Sequence, residues 1–373
     1  MVYLHVPFCR SFCTYCDFYS ETTCKGKDDA MVQRWANEVC GEIRSRRDEI
    51  ASTLDLDTLY IGGGTPSVLP LSVLRQVLDA LDAVRDGQKV RPCTAGDARY
   101  GHCPSDNKRY AEFTVEVNPE DIIEKGEEYV RGLLELGVTR ISMGVQSLDD
   151  GILRWMNRRH NADGARQAFR ILSGALQEVS IDLITGVPGM SEETLSKTLD
   201  EILSWHPAHI SAYQLSIEEG SALATMVEKG EVQELGEEEC RAQYELLCKR
   251  LADAGYHHYE ISNWALPGHE AIHNSAYWTR HPYVGLGPGA HSLIFTDTSG
   301  CPAAPSAHSD GPESITQRRR WNSQVLHGWT SEGETLTPEQ IHEEEVMLLS
   351  RTDRGPIPES DWFIADDIIA GML

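Results

Sequence analysis

Residues 140–188 read RISMGVQSLDDGILRWMNRRHNADGARQAFRILSGALQEVSIDLITGVP. The stretch opens on an apolar, β-branched run, RISMGVQS, that ends in polar residues. Helix-like segments follow near 150–157 and 163–177, and a second strand-like run, VSIDLITGVP, closes on Gly and Pro. Strand, helix and strand in this order predict a parallel sheet.

Working outward, the alternation repeats. Residues 1–8 (MVYLHVPF), 56–64 (LDTLYIGGG), 112–119 (EFTVEVNP) and 209–216 (HISAYQLS) are further strand candidates. Helix-like stretches lie near 29–50, 71–85, 127–136 and 192–205. Six such units predict an α/β fold, a partial (β/α)6-type TIM barrel over residues 1–220, with a C-terminal extension over 221–373. An open doubly wound sheet is the competing arrangement. Residues 86–110 read as a polar surface insertion, 297–317 as a second loop and 338–350 as a helix.

The chain has 373 residues, 40% of them hydrophobic and 24% charged, ordinary values for a globular protein. Its net charge of −25 argues against a general nucleic-acid binder, whose affinity comes from cations facing phosphates. The densest basic cluster, Arg318, Arg319 and Arg320, reads as a solvated face or as the subunit contact of a homodimer. No apolar run reaches the ~18 residues of a membrane span. No charged-then-apolar leader is visible, which favours the cytoplasm, or a mitochondrion or plastid were a transit segment missing.

Of ten cysteines, Cys9, Cys13 and Cys16 crowd together as Cys-x3-Cys-x2-Cys directly after the first strand. Cys24, Cys40, Cys93, Cys103, Cys240, Cys248 and Cys301 are scattered and read as small hydrophobes or inert thiols. Cys93 and Cys103 offer only two ligands, short of a closed metal site. In parallel α/β folds the working residues lie at the C-terminal ends of the strands. There this chain places the three cysteines, then Gly62, Gly63, Gly64 and Thr65, then Glu116 and Asn118, Gln146, Asp182, and Tyr213 with Gln214. Three thiolates can bind three irons of a [4Fe–4S] cluster and leave the fourth iron open. Zinc with His5 as fourth ligand, or plain structural thiols, are the alternatives.

The cysteine spacing resembles that of the radical S-adenosylmethionine superfamily, and the glycine loop resembles its GGTP-type motif. YLHVPFC, LYIGGGTPS, EVNPE, RISMGVQS, IDLITGVPG, SAYQLSIE and YEISNWA extend the resemblance over most of residues 1–292. They look like the branch that holds oxygen-independent coproporphyrinogen III dehydrogenases and radical SAM haem chaperones. The resemblance implies a [4Fe–4S] cluster on Cys9, Cys13 and Cys16, whose electron cleaves S-adenosylmethionine to a 5′-deoxyadenosyl radical. It implies S-adenosylmethionine contacts from Tyr3, Tyr15, Gly63, Gly64, Thr65, Glu116, Gln146, Arg158 and Asp182, with Arg159 a rival to Arg158. It also implies an α+β C-terminal extension, here cut short after DWFIADDIIAGML.

Three features separate the siblings. The dehydrogenases carry a fourth cysteine two residues beyond the third, where this chain has Phe18, and a long arm ahead of the first strand, where it has Met1 and Val2. His273, Asn274, Tyr277 and Trp278 form HNSAYW, which matches the chaperone branch's haem-binding HNxxYW. An imidazole can supply an axial ligand, and flanking aromatics a flat apolar wall for a porphyrin. His257, His258, His281 and His291 lie nearby as rival ligands. Arg280 reads as an exposed surface cation that could also meet a propionate. The expected function is a haem chaperone, with haem as cargo, an acceptor haemoprotein as partner and an unidentified electron donor. A coproporphyrinogen III dehydrogenase is the alternative, and a radical enzyme acting on tRNA is disfavoured by the charge.

Overall fold

The six strand candidates form six consecutive neighbours of one sheet. They are β1 (Val2–Val6), β2 (Thr58–Gly63), β3 (Glu112–Val117), β4 (Arg140–Gln146), β5 (Val179–Thr185) and β6 (His209–Gln214). The computed structural model describes residues 1–23, 29–85, 110–297, 299–303 and 315–373. Cys24, Cys93 and Cys103, residues 86–109 of the first polar loop, and 298 and 304–314 of the second lie outside the described residues.

Each strand pairs in parallel with the next, in chain order. A doubly wound sheet reverses its order at a switch point. This one never reverses, so it winds as a barrel. β7 (His257–Glu260) and β8 (Asn263–Ala265) extend the β6 side, β8 lying antiparallel to both β6 and β7. On the other side β9 (Val284–Leu286) adds in parallel to β1. β7 and β9 stand at the two ends of the nine-strand order and do not pair with each other among the described residues, so the barrel is partial. Three strands from the C-terminal extension thus complete the sheet. A separate antiparallel sheet of β10 (His291–Thr296), β11 (Thr316–Asn322) and β12 (Ser331–Thr335) lies beyond it.

The strand alternation explains which way the sheet faces. Val2, Leu4 and Val6, Leu59 and Ile61, Phe113, Val115 and Val117, and Ile141, Met143 and Val145 are all buried in the apolar core. The intervening residues are polar: Tyr3, Tyr60, Thr114, Glu116, Ser142, Ser180, Asp182 and Ser211 line the lumen. Side chains alternate faces along a strand, so the apolar set meets the surrounding helices. The helices that supply the outer layer include α1 (Asp29–Ser45), α2 (Leu71–Arg85), α3 (Pro119–Glu135), α4 (Ala162–Ser173) and α5 (Glu192–Ser204). α2 buries Val73, Leu74, Val77, Leu78 and Leu81, one stripe at helical spacing. Each such side chain contributes about 1.5–3 kcal/mol on burial. Asn161 and Ser191 accept hydrogen bonds from the Gly164 and Thr194 amides and so fix where α4 and α5 begin. After β6 come α6 (Glu237–Asp253) and the short α7 (Ile272–Trp278), which carries the HNSAYW motif.

Candidate functional site

The loop after β1 crosses the C-terminal mouth of the barrel and carries the three cysteines. The backbone holds it on both sides. The Glu21 and Thr23 amides donate to the Pro7 and Cys9 carbonyls at 2.7 and 2.8 Å, and the Thr14 amide donates to Met156 at 3.2 Å. Cys9, Cys13 and Cys16 are half-buried, carry free thiols and line a cavity of about 650 Å3.

The glycine loop packs directly beneath. The Gly64 amide donates to the Val6 carbonyl at 2.8 Å and the Thr65 amide to Phe8 at 2.7 Å. A Cβ on Gly64 would lie 2.9 Å from both the Val6 and Phe8 carbonyl oxygens. Gly63 has φ +106°, and a Cβ there would strike the His5 ring at 2.5 Å. Only glycine fits either position.

A chain of hydrogen bonds joins two of the thiols across the mouth. Cys9 Sγ shares a hydrogen bond with Thr65 Oγ1 at 3.3 Å. Asn118 Nδ2 donates to the same Thr65 oxygen at 3.1 Å. Arg158 Nη2 donates to Asn118 Oδ1 at 2.6 Å and to the Gly144 carbonyl at 2.8 Å, and Arg158 Nη1 reaches Cys13 Sγ at 3.4 Å. Arg158, not Arg159, therefore touches the cysteine loop, while Arg159 faces Glu120 at 3.7 Å. Burial pushes the Cys9 thiol up, and the Cys16 thiol up to about 12. Iron bound at these sulfurs would offset that cost of burial by favouring the thiolate form.

His5 is not a fourth ligand. Its Nδ1 pairs with the Tyr3 hydroxyl at 3.0 Å and its Nε2 with the Tyr19 carbonyl at 2.8 Å. Among the described residues, no three His, Cys, Asp or Glu side chains gather closely enough to hold a single metal ion. Three sulfurs spread over one half-buried loop suit a cluster in which each iron takes one thiolate.

Below the mouth, the lumen holds two buried carboxyls. Glu116 accepts from the Tyr60 hydroxyl at 2.7 Å and from the Gly63 amide at 3.1 Å. Burial raises its pKa to about 7, and the charge of Asp182 adds to the rise. Asp182 accepts from Ser142 at 2.8 and 2.9 Å, and burial raises its pKa as well. Gln146 ends β4 at a register shift with φ +66°, on the wall of the same cavity. Tyr3, Tyr15, Gly63, Gly64, Thr65, Glu116, Gln146, Arg158 and Asp182 all line this one cavity with the cysteines. Asn118, read from the sequence as one of the strand-end groups, and Tyr60, which was not, bind those residues to one another. Their signal is a polar residue on the inward phase of a strand or at its end.

The HNSAYW helix sits at the opposite end of the barrel. Glu112, the first residue of β3, accepts from the Ile272 and His273 amides at 2.9 Å and anchors the start of α7. His273 is fully buried; its Nδ1 pairs with Thr58 Oγ1 at 2.8 Å and its Nε2 with the Tyr277 hydroxyl at 3.1 Å. Desolvation lowers its pKa, so the ring is neutral. Asn274 Nδ2 donates to Glu260 Oε1 at 3.0 Å. His273, Asn274 and Tyr277 line the floor of the main cavity, and Trp278 does not. Arg280 corrects its expectation: it is buried, paired with Glu344 at 2.8 Å and with the Ile341 carbonyl at 2.9 Å, because the extension folds over it. It is neither an exposed cation nor free for a propionate.

Three comparisons bear on this arrangement. Residues 3–202 match the family model described as the radical SAM superfamily. The "Heme chaperone HemW" of Mycobacterium tuberculosis is 32% identical over 368 residues, covering 95% of this chain and 82% of that protein. The protein of the same name from Synechocystis is 32% identical over 358 residues, covering 95% and 78%. Among solved structures, the coproporphyrinogen III oxidase HemN of Escherichia coli aligns with a TM-score of 0.68 at 17% identity, over 94% of this chain and 75% of that one. That last likeness shows the shared fold.

Proposed function

The chain belongs to the radical SAM superfamily, in the family of its HemW relatives, and from that premise we propose that it is a haem chaperone. It would bind a [4Fe–4S] cluster, S-adenosylmethionine and haem, and hand the haem to an acceptor haemoprotein. The observation that carries this reading is 32% identity over 95% of the chain to a relative named for that role. The exposed Phe18, at the position where the dehydrogenases carry a further cysteine, supports it.

Cys9, Cys13 and Cys16 would hold the cluster, which when bound supplies a one-electron donor with one open iron. Arg158 and Thr65 steady two of those sulfurs through the bonds described above. The backbone of Gly63, Gly64 and Thr65 lies against the cysteine loop, close enough to present itself to a ligand there. Glu116 and Asp182 offer acceptors to a cationic, hydroxyl-bearing ligand such as S-adenosylmethionine, and Tyr3, Tyr15, Gln146 and Arg158 complete the wall. We place the protein in a reducing intracellular compartment, where thiols survive as iron ligands. No helix among the described residues is long and apolar enough to cross a membrane.

The test is anaerobic reconstitution, with iron and sulfide quantitation, haem titration and transfer to an apo-haemoprotein. The expected result is one cluster per chain, stoichiometric haem and transfer on mixing. Robust turnover of coproporphyrinogen III to protoporphyrinogen IX would reject the reading in favour of the dehydrogenase.

A further inference from the structure

The buried state of His273 raises the question of which imidazole meets an iron porphyrin. An axial ligand needs a nitrogen with a free lone pair. His273 has both nitrogens engaged and no exposed surface. Among the rival histidines, His257 pairs with Glu270 and Asp353, His258 with Glu359, and His281 with Asp55. His291, at the start of β10, is exposed, and no hydrogen bond or ion pair to its imidazole ring is found among the described residues.

His291 lines a second cavity of about 340 Å3, open to solvent beside the cysteine loop. That volume falls in the roughly 300–1,000 Å3 range of small-molecule sites. Its walls are mostly aromatic, with Asp17 and Gln324 as the other polar side chains. Tyr3, Tyr19, Tyr277 and Tyr283 line it, and Phe18, 65% exposed, stands at its edge. Tyr277 and Tyr283 pack edge to face at 4.7 Å. Tyr3, Phe18 and Tyr277 line the main cavity too, so the two chambers share one aromatic wall. Aromatic side chains, an imidazole whose ring has no partner among the described residues and an open side suit a planar metalloporphyrin that is to be held and then released.

We infer that the iron porphyrin seats in this second cavity with His291 as its axial ligand, and that His273 positions Tyr277 in the wall. The site rests on the haem chaperone reading. It gives the motif a role although its histidine is sealed: the imidazole is locked between Thr58 and Tyr277, and the phenol ring of Tyr277 faces the cargo.

The test is a haem titration of the full chain, wild type against His291→Ala, His291→Gly and His273→Ala, read by visible absorption and electron paramagnetic resonance. His291→Ala should shift the Soret band, lose the wild-type ligand-field signature and weaken binding, while circular dichroism stays unchanged. Added imidazole should restore the signature in His291→Gly. His273→Ala should weaken binding yet keep the wild-type signature in what does bind. Wild-type spectra and affinity in His291→Ala, or loss of the signature in His273→Ala alone, overturn the site and leave the chaperone reading standing. Wild-type protein that takes up no haem overturns the chaperone reading and the site with it.

Discussion

Arg158 shows what a single side chain does at the mouth of the barrel. Its fork ties Cys13 to Asn118, and Asn118 ties it onward to Thr65 and Cys9, so the spacing of two sulfurs is set before any iron arrives. Cys13→Ala breaks this chain and removes one of the three proposed cluster ligands. Anaerobic reconstitution should then yield well under one cluster per chain by iron and sulfide analysis. Normal stoichiometry in that variant contradicts the ligand assignment. Glu116 carries a pH dependence. Its pKa in the folded protein, about 7, is above the ordinary 4.5. The raised value means that its contribution to stability is fully present below about pH 4.5 and is lost as pH rises through 7. The loss is at most about 3 kcal/mol. Thermal melts of the metal-free protein from pH 5 to 8 should decline in the wild type and decline less in Glu116→Gln, where Asp182, also raised, keeps its own share. Superimposable declines count against a buried, protonated Glu116. At this scale the sequence showed Cys9, Cys13, Cys16 and the glycine loop plainly, because their spacing is rare. It concealed the two hydrogen bonds of His273, since one comes from Thr58, 215 residues away.

Among the elements, β1 to β6 were legible because each combines β-branched residues with a hard stop at its end. Their polar inward phase was written in the sequence as well: Thr114 and Glu116 alternate with Phe113, Val115 and Val117. β7, β8 and β9 were not legible. They are four, three and three residues long, too short for any alternation to stand out, and β9 owes its existence to pairing with β1. The turn from β9 to β10 is tight. Gly285 lies so close to His291 that a Cβ would fall 1.9 Å from the His291 carbonyl oxygen. Gly285→Ala should therefore destabilise the protein by about 1–3 kcal/mol or more. Urea unfolding is the measurement, and a midpoint equal to wild type would show that the hairpin has room to give.

Taken whole, the molecule keeps its apolar core outside the sheet and its polar groups inside. A (β/α) barrel filled with packed branched side chains needs no ligand to be complete. This one surrounds a cavity of about 650 Å3 with carboxyls, hydroxyls and an arginine. S-adenosylmethionine should therefore stabilise the cluster-loaded protein by mass action, by about 2.7 kcal/mol at a hundredfold excess over Kd. A rise in melting temperature that saturates with ligand is the expected result, and no rise at saturating concentrations would remove the lumen as its site. The wall between the two chambers has a further consequence. Tyr3 and Tyr277 each turn one surface to the barrel interior and another to the outer cleft. With the two chambers filled as proposed above, a guest that shifted either phenol from within would alter the shape offered to haem outside, a coupling through two rings that needs no domain to swing.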